Sequence, residues 1–487
     1  MIDFQKGKEA DFARVCALYQ KGIAHMEAQG LEQWSWGIYP NETLIQEDLA
    51  KEESFLLFVK GELAGVFVLN DYQDPEYLSV PWQYGLRPLM MHRLMIDPDL
   101  QKQGLGKAVM DWIFSYGKEQ GYDSIRLDTY SQNLGALALY RKMGYRESGI
   151  VHFREKEGPF ICFEMPLSPS CPLLPIPMVP AFRHGKDTPW GGDALKRLYR
   201  KNTPDNRTGE SLEVSAIPGL VSRTLQGEGL DELLALHGEN LQGSAVKGPF
   251  PLLLKLLDAR EPLSVQVHPD DSYAATYEGG KLGKTEAWLI LHAPPGAQLV
   301  YGIKKGTSKE ELLKASKEGK AVEALLRKVT VQPGDLLFIP AGCVHAIGAG
   351  IVLYEIQQSS DVTYRFYDWD RTDAKGQKRE LHFEKAIAVT DVSFQLDPIR
   401  ASHEKEGMVP LLENPVFVTV QLNVQGSFQL DKDPRRFRMI TALDPLTINS
   451  GGSILSVQAG QTVLFPALCP SVTFTGKGRA ILSAPTV

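Results

Sequence analysis

One short segment constrains the fold of this 487-residue chain more than any other. Residues 264–271 read Ser-Val-Gln-Val-His-Pro-Asp-Asp, in which apolar and polar side chains alternate with the period of a β-strand. Gln266 and His268 are therefore predicted to point to the same face of that strand. Pro269 and the two aspartates after it are predicted to end the strand.

Two downstream segments carry side chains that suit the same site. Lys284 and Glu286 lie two residues apart, hence on one face of a strand, and a Pro-Ala-Gly turn precedes His345. Glutamine, glutamate and two histidines can bind a divalent metal such as Zn²⁺, which acts as a Lewis acid when one coordination position is open. A histidine on a strand is more often a hydrogen-bonded structural residue, so spacing alone leaves the metal and structural roles balanced.

The pattern around these segments predicts a β-rich architecture. From residue 250 onward, short strand-like runs alternate with Gly- and Pro-containing turns, which is typical of a β-barrel or double-sheet jelly roll, and a helical insertion is predicted over 308–328. Residues 460–466 repeat the pattern of residues 334–340, as if one barrel had been duplicated. The second copy has no histidine equivalent to His345, so a metal-free C-terminal β domain is predicted.

Charge and cysteine content exclude several classes of protein. Residues 1–170 contain 17 Lys and Arg against 24 Asp and Glu, and the remainder contains 35 of each. Neither part has the basic excess that nucleic-acid binding requires. Five scattered cysteines without a C-x-x-C pair favour a reducing compartment, and no apolar run reaches the length of a membrane span. We therefore expect a cytoplasmic protein with no nucleic-acid or membrane partner.

A second chemical signal lies in the first third of the chain. Residues 96–107 place a turn containing Gly104 and Gly106 between a strand that ends at Ile96 and a helix from about Leu105 to Gln120. Free amide groups at a helix N-terminus bind anions, and glycine lets a phosphate approach the backbone closely. Most G-x-G turns are only turns, so this motif alone is weak support for a phosphate ligand.

Together with a predicted strand at 125–128 and residues 133–145, this turn resembles the GCN5-related N-acetyltransferase (GNAT) family. The resemblance implies an α/β fold that binds acetyl-CoA as cosubstrate and acetylates an amine. It implies that Gln101, Gly104 and Gly106 hold the cofactor's pyrophosphate. It also implies backbone pairing of the pantetheine arm with Leu94, Met95 and Ile96, and contact between the cofactor and Asn133.

The same resemblance implies that Tyr140 is the general acid for the departing thiolate. The alternative is that Tyr140 only packs a helix onto the sheet. The amine acceptor and its general base are left open, because the acceptor side of this fold varies. Trp34, Trp36 and residues 71–84 are candidates for lining the acceptor pocket.

Residues 264–271, 283–288, 340–350 and 354–371 resemble the short bacterial form of type I mannose-6-phosphate isomerase, a zinc enzyme of the cupin class. The similarity runs from about Pro175 to the end and includes Pro-Trp-Gly-Gly at 189–192 and Gly-Glu-Ser at 209–211. It implies interconversion of mannose 6-phosphate and fructose 6-phosphate through an enediolate. It also implies one Zn²⁺ per chain, held by Gln266, His268, Glu286 and His345.

The catalytic groups of this half are only partly assigned. The resemblance matches Lys284 with an active-site lysine, and Glu355 and Arg365 with an acidic residue and an arginine ten positions apart. The proton carrier is left open among Glu355, Asp361 and Lys284, and Arg365 is expected to stabilise charge on the intermediate or the phosphate. The alternative from the residues alone is an internal ion pair between Arg365 and Glu355 or Asp361.

These observations predict a multidomain fusion. We expect a GNAT-like domain at 1–168, a Pro-rich linker at 169–180, a metal-binding cupin isomerase domain at 181–395, and a metal-free cupin-like domain at 396–487. The expected function is a bifunctional enzyme, a zinc-dependent isomerase fused to an N-acetyltransferase. The alternative is a cupin half that binds sugar phosphate without catalysis and regulates the acetyltransferase.

Overall fold

The computed structural model describes residues 2–153, 157–169, 171–372, 376–400, 405–450 and 453–487. The chain divides into two compact units. Unit 1 comprises Met1–Pro175 with Asn449–Leu455 and Leu468–Val472, and unit 2 comprises the remaining residues. Within the described residues, no helix has both the length and the apolar character that crossing a membrane requires.

Residues 2–166 form an α/β fold around a seven-stranded sheet with the order β1-β2-β3-β4-β5-β7-β6. Side chains alternate along its strands, so Leu56 and Phe58 pack against α1 and α2 while Phe55 and Leu57 pack against the α3 and α4 side. The helices are α1 (Phe12–Ala28), α2 (Glu42–Ala50), α3 (Leu105–Glu119) and α4 (Leu134–Lys142), and the strands are β1 (Ile2–Lys6), β2 (Ser54–Val59), β3 (Glu62–Asn70), β4 (Pro88–Ile96), β5 (Ser124–Tyr130), β6 (Arg146–Val151) and β7 (Phe160–Pro166).

Strands β4 and β5 are the parallel pair in this sheet, and they pair over only part of their length. Their register joins Pro88–Met90 to Ser124–Arg126 and goes no further. On its other side β4 remains paired with β3 up to Ile96. The backbone of β4 beyond Met90 is therefore unpaired on the side facing β5, which opens a cleft between the two strands.

A buried ion pair fixes the segment between β3 and β4. Arg126 Nε lies 2.9 Å from Glu164 Oε1, and neither side chain is exposed to solvent. The Arg126 guanidinium also donates to the Tyr84 carbonyl at 2.8 Å and lies 4.6 Å from the Trp82 ring centroid. Since Glu164 Oε2 accepts from the Gln83 backbone amide at 2.8 Å, both charges hold residues 82–84 against the sheet.

From residue 176 onward the structure is mainly β. The helices are α5 (Ala194–Tyr199), α6 (Leu230–His237), α7 (Glu239–Gln242), α8 (Asp271–Tyr277), α9 (Lys309–Lys317) and α10 (Phe383–Val389). The strands are β8 (Ile176–Val179), β9 (Ala181–His184), β10 (Thr208–Val214), β11 (Arg223–Thr224), β12 (Leu252–Ala259), β13 (Val265–Val267), β14 (Glu286–His292), β15 (Gln298–Ile303), β16 (Leu326–Thr330), β17 (Asp335–Ile339), β18 (His345–Ala346), β19 (Ile351–Gln358), β20 (Tyr364–Tyr367), β21 (Ile399–Arg400), β22 (Gly407–Glu413), β23 (Phe417–Leu430), β24 (Arg438–Ala442), β25 (Leu446–Ser450), β26 (Ser453–Val457), β27 (Thr462–Phe465) and β28 (Val472–Pro485).

These strands form three sheets. A seven-stranded sheet has the order β21-β17-β14-β19-β12-β10-β9, a five-stranded sheet has the order β16-β15-β18-β13-β20, and a nine-stranded sheet contains β11-β8-β27-β24-β28-β23-β22 with β25 and β26. One core cluster joins Trp288 and Leu353 of the seven-stranded sheet to Tyr301 of the five-stranded sheet. The two sheets therefore face each other across a shared core, as predicted for a jelly roll.

The strand pairing crosses two of the predicted domain boundaries. Ile176–Val179, inside the predicted linker, is strand β8, and it pairs with β11 and β27 in the nine-stranded sheet. Ile399–Arg400, inside the predicted C-terminal domain, pairs with β17 in the seven-stranded sheet. The prolines at 175 and 177 did not prevent a strand: Pro175 precedes β8, and Pro177 is in register only with β27, since β11 pairs with Met178 and Val179. Ser170, near the predicted start of the linker, lies outside the described residues.

Replacing Arg126 with leucine is expected to destabilise unit 1 by about 3–5 kcal/mol, because Glu164 would remain as an unpaired buried charge. Native-state hydrogen exchange of the β5 and β7 amides measures this opening free energy for unit 1 alone. Arg141→Leu is the matched control, since its ion pair with Glu147 is about half exposed and should be worth at most about 1 kcal/mol. A similarly small loss for Arg126→Leu would contradict the role of the buried pair.

Candidate active sites

Three adjacent strands of the five-stranded sheet place predicted site residues in one row. In the register, Gln266 of β13 lies opposite His345 of β18 on one side and opposite Arg365 of β20 on the other. Residues directly opposite on neighbouring strands point to the same face of a sheet. The row therefore presents His345, Gln266 and Arg365 together to the core between the two sheets.

The facing seven-stranded sheet supplies the carboxylate. Glu286 begins β14, and its Oε1 lies 3.4 Å from His345 Nε2 while its Oε2 lies 3.8 Å from His268 Nε2. Candidate ligand atoms of His268, Glu286 and His345 all lie within 4.8 Å of one another, and all three residues are buried. Two sheets therefore meet at this point and bring three predicted metal ligands together.

Hydrogen bonds orient both imidazoles toward the shared point. His268 Nδ1 lies 2.8 Å from the Val362 carbonyl oxygen, and His345 Nδ1 lies 2.9 Å from the Cys343 carbonyl oxygen. Carbonyl oxygens only accept hydrogen bonds, so each Nδ1 carries the proton and each Nε2 keeps its lone pair. Such a partner on the second ring nitrogen is the usual arrangement of a metal-binding histidine.

Burial and the neighbouring charges shift the pKa values of the two imidazoles and of Glu286. Burial lowers the pKa of both imidazoles, and the neighbouring Lys284 ammonium lowers it further, to about 3 for His345. Burial raises the pKa of Glu286 to about 7, with Lys284 opposing and Glu355 adding to the shift. The imidazoles are therefore neutral at pH 7 and can bind a metal ion.

A divalent metal ion fits the residues at this point. Glu286 Oε1 is buried and has no hydrogen-bond partner among the described residues, so it has a lone pair that none of their donors uses. Lys284 donates a hydrogen bond to Glu286 Oε2 and another, at 3.2 Å, to His268 Nε2. The Lys284 ammonium group therefore already lies between two of these acceptors. Gln266 Nε2 donates to His345 Nε2 at 3.2 Å, so Gln266 would act as a ligand only with its amide oxygen turned inward.

A second buried carboxylate lies on the same face of the seven-stranded sheet. Glu355 of β19 pairs in register with Trp288 of β14 and with Lys255 of β12. Trp288 Nε1 donates to Glu355 Oε2 at 2.9 Å, and Lys255 Nζ lies 3.2 Å from Glu355 Oε1 and 3.5 Å from Glu210 Oε2. Burial raises the pKa of Glu355, but Lys255 and Lys284 outweigh it and hold the pKa below its usual value.

The predicted ion pair between Arg365 and Glu355 or Asp361 does not form. Glu355 pairs with Lys255, and Asp361 pairs with Lys281 at 2.8 Å on the partly exposed side of the site. Arg365 Nε is buried and has no hydrogen-bond partner in the part of the chain that the structure describes. Of the cations at this site, Arg365 is therefore the one whose charge is least compensated by the described carboxylates.

A cavity of about 140 Å³, here called the polar cavity, joins these groups. Its lining includes Gln266, Lys284, Glu355, Asp361 and Arg365, all predicted from the sequence. It also includes Lys255, Glu210, Arg183 and Arg379, which the sequence analysis did not assign to the site. One signal was available, because Lys255 interrupts the otherwise apolar run Leu252–Leu257.

The glycine turn of unit 1 has the predicted position at the start of α3. Gly104 caps the helix with a φ of +82°, and a Cβ added there would meet no atom of the described residues within 4 Å. The space beside this turn is therefore open. Gly106 has a different constraint, because a Cβ there would come within 3.0 Å of Leu139 Cδ2 on α4. Gln101 Nε2 donates to the Ile96 carbonyl at 3.4 Å, which folds its side chain back toward β4.

The cleft between β4 and β5 brings several other predicted residues together. A cavity of about 380 Å³, here called the aromatic cavity, is lined by Leu94 of β4, by Asn133 and Tyr140 of α4, and by Trp34 and Tyr77. Met95 and Ile96 lie on the same unpaired edge of β4 but do not line this cavity. Trp36, a predicted pocket residue, does not line it either.

Asn133 and Tyr140 differ in whether their polar atoms already form hydrogen bonds within the described residues. Asn133 Oδ1 accepts from the Ala136 amide at 3.1 Å and caps α4, and its Nδ2 donates to Gln33 Oε1 at 2.7 Å. The Tyr140 ring packs 5.5 Å from that of Phe163, and its side chain is almost fully buried. Its hydroxyl makes no hydrogen bond within the described part of the chain, so it is free to act on a ligand.

Comparison with known proteins identifies relatives of unit 2. The sequence model of the family "Phosphomannose isomerase type I, catalytic domain" matches residues 183–294. The mannose-6-phosphate isomerase of Streptococcus mutans is 37% identical over 300 residues, which cover 60% of this chain and 94% of that protein. The crystal structure of the mannose 6-phosphate isomerase from Bacillus subtilis is 34% identical with a TM-score of 0.59, covering 64% of this chain and 99% of the other.

Two further matches extend this comparison. A mannose 6-phosphate isomerase solved with bound zinc and yttrium has the same fold, at 16% identity and a TM-score of 0.53, over 64% of this chain and 100% of the other. The sequence model of the acetyltransferase (GNAT) family matches residues 21–145. Both family resemblances predicted from the sequence are therefore confirmed.

Replacing His268 with alanine is expected to weaken zinc binding by more than about 100-fold, because a nitrogen that would bind the metal is removed. Loss of a group that only orients a ligand typically weakens metal binding by roughly 10- to 100-fold. Calorimetric titration of apo protein with Zn²⁺ measures the change. His292→Ala is the matched control, because His292 lies at the exposed end of the same β14 that carries Glu286. Equal zinc affinity in the two variants would contradict the site.

Proposed function

Since the chain belongs to the type I phosphomannose isomerase family, we propose that unit 2 interconverts mannose 6-phosphate and fructose 6-phosphate. The observation that carries this proposal is the buried convergence of His268, Glu286 and His345 within 4.8 Å. Arg365 and Glu355 line the cavity next to that convergence. A site with these groups suits an anionic, hydroxyl-bearing substrate.

Gln266, His268, Glu286 and His345 would hold one zinc ion per chain. When bound, zinc supplies Lewis-acid polarisation of the oxygens on substrate carbons C1 and C2. The protein's part is to fix the donors, through the Val362 and Cys343 carbonyls on the two imidazoles. The zinc isomerase predicted from the sequence remains our proposal for this unit.

The reaction moves one proton between C1 and C2 through an enediolate, whose oxygens carry negative charge. Glu355 suits the proton carrier, because the lysines beside it keep it ionised and so able to accept a proton. Arg365 and Lys284 line the same cavity and would stabilise the developing negative charge. Asp361 is less suited, since it is partly exposed and paired with Lys281.

Zinc-replete protein is expected to form fructose 6-phosphate from mannose 6-phosphate, to lose this activity on chelation and to regain it with added zinc. Glu355→Gln should lower kcat by about 10²- to 10⁴-fold, the usual contribution of a positioned acid or base. Its bound zinc should not change, because Glu355 does not belong to the three converging metal ligands. A coupled spectrophotometric assay and metal analysis give the two readouts.

Glu310→Gln, an exposed change of the same kind on α9, should leave both readouts unchanged. Glu355→Gln with nearly full kcat would reassign the proton transfer to Lys284 or Asp361. No turnover by zinc-replete wild-type protein would contradict the isomerase and favour the alternative, a cupin half that senses sugar phosphate and regulates unit 1. That alternative predicts that mannose 6-phosphate changes the rate of acetyl transfer.

We propose further that unit 1 transfers the acetyl group of acetyl-CoA to an amine. Two features support this proposal: the open space beside Gly104 at the start of α3, and the unpaired β4 edge at Leu94–Ile96. The first suits a pyrophosphate and the second suits an extended amide-bearing chain. Tyr140 would protonate the departing thiolate from the aromatic cavity.

Replacing Tyr140 with phenylalanine is expected to slow acetyl transfer by about 100-fold or more without changing the dissociation constant of acetyl-CoA. Stopped-flow transfer kinetics and calorimetry measure the two quantities. Tyr145→Phe is the matched control, because the Tyr145 hydroxyl is buried, has no hydrogen-bond partner within the described ranges and does not line the cavity. If the two variants transfer acetyl groups equally fast, Tyr140 has only a packing role.

A further inference from the structure

The aromatic cavity contains acidic groups that the functions proposed above do not use. Asp74, Glu76 and Asp128 line it, and none of them forms an ion pair with a cationic side chain in the described parts of the chain. Arg93 also lines the cavity, but its guanidinium is committed to both Asp48 oxygens, each at 2.8 Å. The cavity therefore has an excess of negative charge.

His92 does not neutralise this charge. Burial lowers the pKa of His92 to about 4, and the neighbouring Arg93 contributes to the shift. Its Nε2 lies 3.0 Å from Asn70 Oδ1, so a neutral imidazole already has its hydrogen-bond partner. At pH 7 the three carboxylates therefore face a neutral histidine.

Of the three carboxylates, Asp128 is the one that lies beside the cleft between β4 and β5 and accepts a hydrogen bond from Tyr77. It lies on β5 beyond the last residue paired with β4, so its side chain is next to the cleft. The Tyr77 hydroxyl donates a hydrogen bond to Asp128 Oδ1. Burial raises the pKa of Asp128 to about 6, with the Tyr77 hydrogen bond opposing and Asp74 adding to the shift. Tyr39, Tyr140 and Cys162 are the other titratable groups near it.

Asp128 and Tyr140 line the same cavity from different elements. Tyr140 is about 95% buried, and its hydroxyl has no hydrogen-bond partner among the described residues. A proton acceptor and a proton donor thus face one space. Acetyl transfer to an amine needs this pair, because a proton must leave the nitrogen and another must reach the thiolate sulfur.

The walls of the cavity select for a cation. The rings of Trp34, Tyr39, Tyr77, Phe153 and Phe160 line it beside the carboxylates. Aromatic faces attract ammonium groups, and carboxylates pair with them, whereas a second carboxylate on the ligand would be repelled. A volume of about 380 Å³ is at the small end of ligand pockets.

We propose that Asp128 is the general base of acetyl transfer and that the aromatic cavity receives a small primary ammonium compound without a carboxylate. This inference rests on the acetyltransferase function proposed above. Asp128 takes one proton from the ammonium, and the free nitrogen attacks the thioester carbonyl carbon. The C–N bond forms, the C–S bond breaks, and the thiolate takes the Tyr140 proton. The nitrogen loses its second proton, which restores Tyr140, and the Asp128 proton leaves to solvent.

Phenethylamine and phenylalanine test the acceptor class, because they differ only by the α-carboxylate. With acetyl-CoA and the full-length protein, kcat/KM for phenethylamine is expected to exceed that for phenylalanine by at least about 100-fold, as one buried like-charge contact costs several kcal/mol. Mass spectrometry of the acetylated products measures both rates. Equal rates, or a preference for phenylalanine, would overturn the acceptor class.

Asp128→Asn tests the base. Its kcat with phenethylamine should fall by about 10²- to 10⁴-fold while the dissociation constant of acetyl-CoA stays within about twofold. The wild-type rate should fall as the pH drops through about 6, where Asp128 takes up a proton, and the variant should lack this limb of the profile. Asp3→Asn, an exposed change of the same kind on β1 of the same sheet, should match the wild type.

The outcomes separate this inference from the function on which it rests. Protein that binds acetyl-CoA and acetylates phenethylamine, yet tolerates Asp128→Asn within about threefold, overturns the base. Protein that binds acetyl-CoA but acetylates neither amine overturns the acceptor class. Protein that does not bind acetyl-CoA overturns the acetyltransferase function itself.

Discussion

The isomerase unit depends on a carboxylate that is buried between two neutral imidazoles. Burying the Glu286 carboxylate away from water is unfavourable unless a cation compensates its charge. The buried Lys284 ammonium, which forms an ion pair with Glu286 Oε2, is such a cation. Because the imidazoles come from one sheet and the carboxylate from the other, the facing of the two sheets is what creates the site. The second carboxylate, Glu355, has its own lysine, so the pKa of Glu355 is lowered whereas the pKa of Glu286 is raised, although both groups are buried. In the function proposed above, that difference would separate the role of Glu286 as a metal ligand from the role of Glu355 as the proton carrier.

Unit 1 reaches its site by a different route, the early separation of two parallel strands. Beyond Met90 and Arg126 no backbone bonds join β4 to β5, and this leaves both an unpaired strand edge and a cavity. The buried pair of Arg126 and Glu164 lies next to the point of separation and holds the segment between β3 and β4 that supplies Asp74, Glu76 and Tyr77. The strand edge proposed to bind acetyl-CoA and the cavity proposed to receive its acceptor therefore both result from interrupted strand pairing.

The sequence predicted the fold class and placed His268, Glu286 and His345, which converge in the structure, in one site, because strand periodicity and motif order carry that information. The break that Lys255 makes in an apolar run marks a buried charge, but its partner could not be predicted, since register between β10, β12 and β19 decides which buried charge faces Glu355. The proposed base, Asp128, could not be identified from the sequence for the same reason. Its environment depends on a hydrogen bond from Tyr77, which lies about fifty residues away in the chain. The predicted boundaries near 180 and 395 fell inside pairings between distant strands, which local composition does not encode.

Anomalous diffraction at the zinc absorption edge, on crystals of the full-length protein grown with Zn²⁺, tests the central claim most directly. We expect one strong peak per chain within bonding distance of His268 Nε2, His345 Nε2 and a Glu286 oxygen, with the Gln266 amide oxygen turned toward it. No peak at that point in zinc-saturated crystals, with Lys284 still bound to Glu286, would show that the lysine alone compensates the buried carboxylate. The metal centre, and the isomerase chemistry proposed from it, would then be wrong.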